Sequence, residues 1–237
     1  MSYELLFDAI LSEMDEKRDD EFSRALASFH EKLRDKLLPP DADRSCHETA
    51  GAQSKEFMRH IADDIQAFFR RFPYGSRFSI LDVGPGTAAG SDWLASIYRR
   101  KTLGYTATVE TIDIDDTFLR YQKVMLPYIK PMLGRMEDLT KTYDVVIASH
   151  VIEHVDDPVQ FCSDLQRMSR GVVIVCAPFE ERKDQMTSGH LHSLDDEFLK
   201  KLEPVSLRKI ESAGWGQFMD PPYKMFVATL NGKAESV

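Results

Sequence analysis

The sequence lacks the features that mark secreted, membrane-spanning and disulfide-rich proteins. It has three cysteines in 237 residues, and none of them forms a C-x-x-C pair. Neither a disulfide framework nor a zinc knuckle is therefore indicated. No apolar run approaches the roughly 20 residues that cross a bilayer, and the first residues do not resemble a signal peptide. These absences predict a cytoplasmic protein without a membrane partner.

Positive charge is also in short supply. The chain has 39 acidic and 30 basic side chains, which gives a net charge of -9 with histidine neutral. Nucleic acid is not expected as the main partner, because binding to phosphates needs a basic surface. What the sequence does have is an ordinary globular composition, with 43% hydrophobic and 29% charged residues. Its length suits one α/β domain with an additional segment.

The first third of the chain is predicted to be helical. Apolar residues recur every three or four positions within residues 3–38, which predicts two amphipathic helices. Residues 39–53 are polar and begin with two prolines, so a linker is expected there. Another amphipathic helix is predicted over about 54–71. We therefore divide the chain into an N-terminal helical segment, residues 1–72, and a main domain, residues 73–237. The segment is expected to cover the substrate side or to mediate a homodimer.

From residue 78 onward, apolar β-branched runs alternate with helical patterns, which predicts an α/β fold whose parallel sheet has helices on both faces. The predicted strands cover 78–83, 106–112, a short piece around 132–133, 143–148 and 171–177, with a last pair at 215–220 and 223–230. The first predicted helix after strand 78–83 extends to about residue 101, and the second covers 117–128. A third begins at Pro158 with Asp157 as N-cap, and a fourth begins at Ser193 with Asp196 completing a capping box. The last predicted helix covers 204–213.

A glycine-rich turn, Gly84-Pro85-Gly86-Thr87-Ala88-Ala89, follows the first predicted strand. Its glycines allow a ligand to approach the backbone, and the N-terminus of the next helix presents unpaired N–H groups. The turn fits the loose dinucleotide-binding fingerprint, with alanine at the third glycine position. Asp82 departs from that fingerprint, since dinucleotide-binding strands usually carry an apolar residue there. An NAD-dependent oxidoreductase is therefore the less favoured alternative.

Asp113 ends the second predicted strand, and a carboxylate at that position can accept hydrogen bonds from both hydroxyls of a ribose. A third segment runs from Tyr143 to Pro158 and reads YDVVIASHVIEHVDDP. Taken with LDVGPG at 81–86, it resembles the class I S-adenosylmethionine-dependent methyltransferases, in the small-molecule branch with a Glu-His step after the fourth strand. The resemblance covers about residues 76–178. It implies a Rossmann-like seven-stranded sheet with an antiparallel last strand, and S-adenosylmethionine as the cofactor.

The resemblance also implies roles for individual cofactor-binding residues. Asp82, Gly84 and Gly86 would hold the methionine end of the cofactor. Asp113 would bind the ribose hydroxyls, and Ile114 would pack on the adenine.

Two further parts of the cofactor site follow from the same resemblance. Many relatives have a Gly-Asp step before the adenine contact, whereas this chain has Arg135 after Gly134. Met136 and Glu137 are therefore the candidates for the contact with the adenine amino group. Ser149 and His150 are expected to face the methionine part of the cofactor or the substrate.

Three histidines are candidates for a general base, because imidazole titrates near neutral pH and an acceptor hydroxyl has to lose a proton. They are His154, His150 and His190, the last within Gly189-His190-Leu191-His192, which resembles the loop before the lid helix in methyltransferases that act on saccharides. The predicted function is methyl transfer to a hydroxyl or amine of a small molecule, with a sugar or glycan precursor as a candidate acceptor. A non-catalytic partner protein with the same fold is the other alternative.

A metal site is not predicted. His150-Val151-Ile152-Glu153-His154 satisfies the inverted zinc-protease pattern H-x-x-E-H. That pattern requires a continuous helix that places both imidazoles on one face. The residues before it predict a strand, and the next helix begins only at Pro158.

Overall fold

The computed structural model describes residues 44–99, 104–182, 184, 186, 189–211 and 224–234, together with Ser28, Lys32 and Leu37. These three single residues are helical. The two helices predicted within residues 3–38 otherwise lie outside the described residues, and so does the strand predicted at 215–220. No helix in the described part of the chain is both long and apolar enough to span a membrane.

Seven strands form one mixed sheet in the order β3-β2-β1-β4-β5-β7-β6. All of them are parallel except β7, which runs antiparallel to both β5 and β6. The prediction of a mostly parallel seven-stranded sheet with an antiparallel last strand is confirmed. The strands are β1 Arg77–Val83, β2 Thr106–Asp113, β3 Ile129–Leu133, β4 Tyr143–Ser149, β5 Ser169–Pro178, β6 Ser206–Glu211 and β7 Lys224–Asn231.

Helices cover both faces of this sheet, as predicted. One apolar cluster joins two helices, α1 (Arg44–Phe69) and α2 (Ala89–Tyr98), to one face of the sheet. It includes Ile61, Phe69, Ile80 and Val145. A second cluster lies on the other face, under helices α4 and α5. The α-helices are α1 Arg44–Phe69, α2 Ala89–Tyr98, α3 Leu119–Met125, α4 Pro158–Met168 and α5 Asp196–Leu202, and single 3₁₀ turns occur at Met136–Asp138 and Ile152–His154.

Alternation along β1 divides its side chains between the two clusters. Ile80 belongs to the cluster under α1, and the next residue, Leu81, belongs to the opposite cluster. Both are fully buried, as are the central residues of β4 and β5. A strand that is buried on both faces needs a continuous apolar run, which explains why these segments were recognisable in the sequence.

The predicted linker at 39–53 is wrong for residues 44–53, which form the first turns of α1. The cause is contact with α2 rather than apolar periodicity. Gly51 is buried, and a Cβ there would lie 3.6 Å from the Cβ of Ala89. Further along α1, the Ser54 hydroxyl accepts a hydrogen bond from the Gly90 N–H at 3.0 Å. The helix predicted over 54–71 is confirmed and begins ten residues earlier.

The helix predicted over 204–213 is also wrong for residues 206–211, which form the strand β6. The spacing of Leu207 and Ile210 matches a helical period, but pairing along the whole length of β6 with β7 determines the structure. The outer neighbour of β7 is therefore β6.

The helix start predicted at Ser193 lies two residues too early. Asp195 is the N-cap of α5 and accepts a hydrogen bond from the Phe198 N–H at 2.9 Å, whereas the Ser193 hydroxyl donates to the Glu181 carbonyl at 2.8 Å. The predicted Asp157 cap of α4 is confirmed.

Candidate active site

The carboxyl ends of β1, β2 and β4 meet at one edge of the sheet. Val83 pairs with Ile112 on one side and with Ala148 on the other. The strands β2 and β4 lie on opposite sides of β1. At such a point a parallel sheet commonly has its ligand-binding crevice, just beyond the carboxyl ends of the strands. Asp82 and Asp113 both lie here, and the Asp113 carboxylate accepts a long hydrogen bond, 3.4 Å, from the Gly86 N–H. The two carboxylates that the sequence singled out therefore flank the same turn.

The glycine turn has the left-handed conformations that it needs. Gly84 has φ 67°, and a Cβ there would lie 2.7 Å from a Val151 methyl group, so only glycine fits. Gly86 has φ 54°, and a Cβ there would have no heavy atom within 4 Å. Its backbone is therefore open to a ligand. Ala88, two residues after Gly86, also has a left-handed φ of 57°.

Asp82 is a buried carboxyl at the base of this turn, only 3% exposed. The Ser91 hydroxyl donates to its Oδ2, and within the described part of the chain its Oδ1 has no hydrogen-bond partner. Burial raises the pKa of Asp82 to about 7, and the nearby Asp113 charge adds to this effect. The Asp82 carboxyl can therefore accept a further hydrogen bond or bind a cation, and its burial without either costs free energy.

Apolar surface lies exposed next to Asp113. Ile114 is 75% exposed and Leu133 is 52% exposed, and Leu133 pairs with Asp113 across β2 and β3. Met136 is buried in the second apolar cluster, and Glu137 is exposed. Burial raises the pKa of Asp113, while hydrogen bonds from the Asp115 and Gly86 N–H groups oppose the rise.

Helix α1 packs at this edge, and it belongs to the segment of residues 1–72 that was expected to cover the substrate side or to mediate a homodimer. Its Ser54 lies against the first turn of α2, where a Cβ at Gly90 would lie 2.3 Å from the Ser54 carbonyl oxygen. One turn later, the Phe57 ring stacks on His150, with centroids 3.6 Å apart and planes at 11°. The signal for this contact was Gly90, a glycine inside a helix.

His150 is held at the end of β4 in a left-handed conformation with φ 57°. The backbone N–H of His150 donates a hydrogen bond to the Cys176 carbonyl at 2.7 Å, and Ser149 Oγ lies 3.5 Å from the ring Nδ1 of His150. Burial lowers the pKa of His150 to about 3, with the neighbouring His190 and His154 contributing. The ring is therefore neutral and only weakly basic at neutral pH.

His154 and His190 come together just beyond His150, with ring centroids 4.7 Å apart. His154 Nδ1 lies 3.0 Å from the Gly189 carbonyl, and His190 Nδ1 lies 2.5 Å from Glu181 Oε2. The fully buried Glu153 adjoins them, and burial raises its pKa to about 8.

Sequence reasoning missed Glu181 because it lies in a loop without periodicity. Residues 150–154 do not form the helix that the zinc-protease pattern requires, since only Ile152–His154 is a 3₁₀ turn.

Comparison with known proteins gives a family match for the centre of the chain. Residues 81–175 match the family model described as a methyltransferase domain. A search of curated proteins found no match. The sequence-based identification of a class I methyltransferase fold is thus confirmed by the matched domain and the observed sheet order.

Solved structures share the fold at low sequence identity. Magnesium protoporphyrin IX methyltransferase from Synechocystis PCC 6803, with bound SAH, has 12% identity and a TM-score of 0.54 over 87% of this chain and 95% of its own. Coclaurine N-methyltransferase, bound to N-methylheliamine and SAH, has 11% identity and a TM-score of 0.54 over 92% of this chain and 76% of its own. The 4+2 cyclase SpnF has 12% identity and a TM-score of 0.53 over 74% of this chain and 82% of its own. Since a cyclase is among them, the reaction has to be argued from the site.

Proposed function

We propose that this protein, whose residues 81–175 match a methyltransferase domain, is an S-adenosylmethionine-dependent methyltransferase that acts on a small molecule. The observation that carries the proposal is the placement of Asp82, Asp113 and an open glycine turn at one edge of the sheet. An adenosyl cofactor needs carboxylates for its ribose and ammonium groups and a backbone that it can approach closely. These residues supply both.

The residues at this edge fit the parts of the cofactor. Asp113 is suited to the ribose hydroxyls, and the exposed side chain of Ile114 beside it is suited to the adenine face. Met136 and Glu137 are the proposed contacts of the adenine amino group. The unused Oδ1 of Asp82 is suited to the ammonium group of the methionine part, next to Gly84 and Gly86. When bound, S-adenosylmethionine supplies a methyl group already activated by its sulfonium sulfur.

Ser149 and His150 lie where β4 ends, between this cradle and the histidine pair. The pKa of His150, lowered to about 3, makes it a poor proton acceptor, so we assign it to positioning. His154 is the better candidate base, and His190 is the second. The Gly189 carbonyl can only accept a hydrogen bond, which keeps the proton of His154 on Nδ1 and leaves its Nε2 able to accept one. These residues hold and receive the acceptor, and alignment of the reactants accounts for much of the catalysis.

The proposed acceptor is a hydroxyl or amine of a polar small molecule, with a sugar or glycan precursor as the first class to test. Support comes from the polar side chains of the histidine pair and of the loop that carries His190. Glu181, His190 and His192 all belong to the segment between β5 and α5. His190 and Glu181 bind each other and are nearly buried, so His154, which is exposed, is the group of this cluster proposed to exchange hydrogen bonds with an acceptor hydroxyl.

Substitution of Asp113 tests the cofactor assignment. We expect Asp113→Asn to weaken S-adenosylhomocysteine binding about 10- to 100-fold, because two charge-assisted hydrogen bonds to the ribose become neutral ones. Isothermal titration calorimetry measures the affinity, and circular dichroism checks the fold. Asp115→Asn is the matched control, since Asp115 is exposed and bonds mainly to Thr117.

The same titration separates the alternatives. Unchanged affinity in Asp113→Asn would show that the ribose is bound elsewhere. A wild-type protein that binds neither S-adenosylhomocysteine nor NAD⁺ would favour a non-catalytic partner protein, an alternative that Arg135 at the usual Asp position supports. Binding of NAD⁺ alone would favour the oxidoreductase.

A further inference from the structure

We propose that Glu153, His154 and His190 bind a divalent transition-metal ion, with Zn²⁺ as the reference, beside the cofactor crevice. One ligand atom from each side chain lies within 4.8 Å of the other two. In a tetrahedral site with bonds of about 2.0–2.2 Å the ligand atoms lie about 3.3–3.6 Å apart, so side-chain movements of about 1 Å close the site. Two imidazoles and one carboxylate form a ligand set that binds first-row transition-metal ions in preference to Mg²⁺ or Ca²⁺.

Glu153 distinguishes this cluster from an ordinary group of polar side chains. Its side chain is fully buried, and neither carboxylate oxygen accepts a hydrogen bond from another residue in the described part of the chain. A buried carboxyl group with two unused oxygens is costly. A positive ion at bonding distance would offset that cost, because it replaces the lost hydration directly.

Hydrogen-bond contacts at Nδ1 fix the tautomer of both imidazoles. His190 Nδ1 lies 2.5 Å from the Glu181 carboxylate, and His154 Nδ1 lies 3.0 Å from the Gly189 carbonyl oxygen. Each contact places a proton on Nδ1 and leaves Nε2 with a lone pair. Metal-binding histidines in proteins are commonly held in this way by a carboxylate or a carbonyl behind the ring. The side chains of His190 and Glu181 are only 3% and 6% exposed, so this orientation is protected from water.

The ion has a role in the reaction, and this part of the inference rests on the proposed function. Three protein ligands leave coordination positions open. An acceptor hydroxyl that occupies one of them loses its proton to solvent water more readily, because the ion lowers its pKa. The oxygen would then form its bond to the methyl carbon as the bond from that carbon to the sulfonium sulfur breaks, with S-adenosylhomocysteine as the leaving group. His154 and His190 would act through the ion in that case, and not as bases themselves.

Metal binding is tested directly on the full-length protein after chelator treatment and dialysis. We expect calorimetric titration with ZnCl₂ to show one site per chain with a dissociation constant of about 1 µM or lower. Titration with MgCl₂ should give at least about 100-fold weaker binding, because Mg²⁺ prefers oxygen ligands. No zinc binding, or equal affinity for both ions, would overturn the proposal.

Variants assign the ligands. Glu153→Gln removes the charge at constant shape and should weaken zinc binding at least about 100-fold, and Glu181→Gln should weaken it about 10- to 100-fold by releasing His190. His192→Gln is the control, because His192 lies in the same loop and its Nε2 contacts the Val155 carbonyl at 2.9 Å. If Glu153→Gln does not fold by circular dichroism, His190→Gln decides. Wild-type zinc affinity in the deciding variant would overturn the assignment.

Titration of the same samples with S-adenosylhomocysteine keeps the two proposals apart. Cofactor binding without zinc binding would remove only the metal site. Zinc binding without cofactor binding would remove only the proposed function, together with the role of the ion in it.

Discussion

Asp82 shows at the scale of one residue how a candidate site departs from the most stable arrangement. Its carboxyl is buried beneath the glycine turn, with the Ser91 hydroxyl on one oxygen and no described partner for the other. Burial raises its pKa from 3.8 to about 7. The folded protein therefore binds a proton here that the unfolded chain releases at moderately acidic pH. The fold retains a costly side chain at the place where we expect a cationic group to bind.

The pH dependence of stability follows from this shift. Between about pH 4 and pH 7 the folded state holds more protons on Asp82 than the unfolded state, so its contribution to stability falls as the pH rises. We expect Asp82→Asn, which keeps an acceptor for Ser91, to gain stability over the wild type by about 2 to 3 kcal/mol more at pH 8 than at pH 5. Urea unfolding of both proteins at the two pH values measures this difference.

Asp116→Asn is the control for that experiment, because Asp116 is exposed. Its stability relative to the wild type should be nearly the same at both pH values. A gain in Asp82→Asn that does not grow with pH would mean that Asp82 is not a buried neutral acid in the fold.

The sequence predicted correctly the location of residues that lie at the ends of strands. Asp82 and Asp113 follow apolar runs, and the carboxyl ends of parallel strands share one edge, so their proximity was predictable before the structure. The pairing of His190 with Glu181 and His154 was not predictable. These residues lie in loops, where no periodicity fixes direction, and their contact depends on how two loops meet in space.

Helix α1 illustrates the scale of a single element. Its first turns carry few apolar residues, and their position is determined by a close approach to α2 at Gly51, Ser54 and Gly90. A Cβ at Gly90 would lie 2.3 Å from backbone, whereas a Cβ at Gly51 would make an ordinary contact at 3.6 Å. Two helical glycines in the same interface therefore have different roles.

Alanine substitutions at these two positions should change stability in opposite directions. Gly90→Ala is expected to destabilise the protein by about 1 to 3 kcal/mol, because α1 has to move away from α2. Gly51→Ala is expected to stabilise it by about 0.5 to 1 kcal/mol, because glycine loses more backbone entropy than alanine in a helix. Chemical denaturation measures both. Equal effects of the two substitutions would contradict the close packing of α1 on α2.

Element prediction failed where tertiary contact outweighs local pattern. Residues 44–53 read as a linker because their composition is polar, and contact with α2 makes them helical. Residues 206–211 read as a helix because of the spacing of Leu207 and Ile210, and pairing with β7 makes them a strand. In both cases the deciding partner is distant in sequence, and a local pattern does not contain it.

At the scale of the whole molecule, the sheet has a carboxyl edge, where we propose that the cofactor binds, and an opposite edge. The carboxyl edge contains the glycine turn, Asp113, His150 and the histidine pair, and α1 covers part of it. The opposite edge begins at Arg77 and Thr106, which are paired across β1 and β2. Ligand binding in the crevice should therefore slow local opening at one edge only.

Hydrogen exchange followed by mass spectrometry measures this asymmetry. On addition of S-adenosylhomocysteine we expect slower exchange at residues 84–90, 113–115 and 149–151, since a ligand that binds only the folded state suppresses opening around it. Residues 206–211, at the far edge of the sheet, serve as the internal control and should exchange unchanged. Slower exchange confined to the first residues of the strands, near Arg77, would place the ligand at the opposite edge of the sheet and contradict the proposed site.

The position of β7 has a consequence for how the protein is made. In the sheet it lies between β5 and β6, yet the ribosome produces it after both. During synthesis β5 has an open apolar edge and β6 has no neighbour in the described sheet, until β7 enters between them. The nascent chain therefore passes through a stage in which one edge of β5, the longest strand of the described sheet, is unprotected, and insertion of β7 completes that sheet.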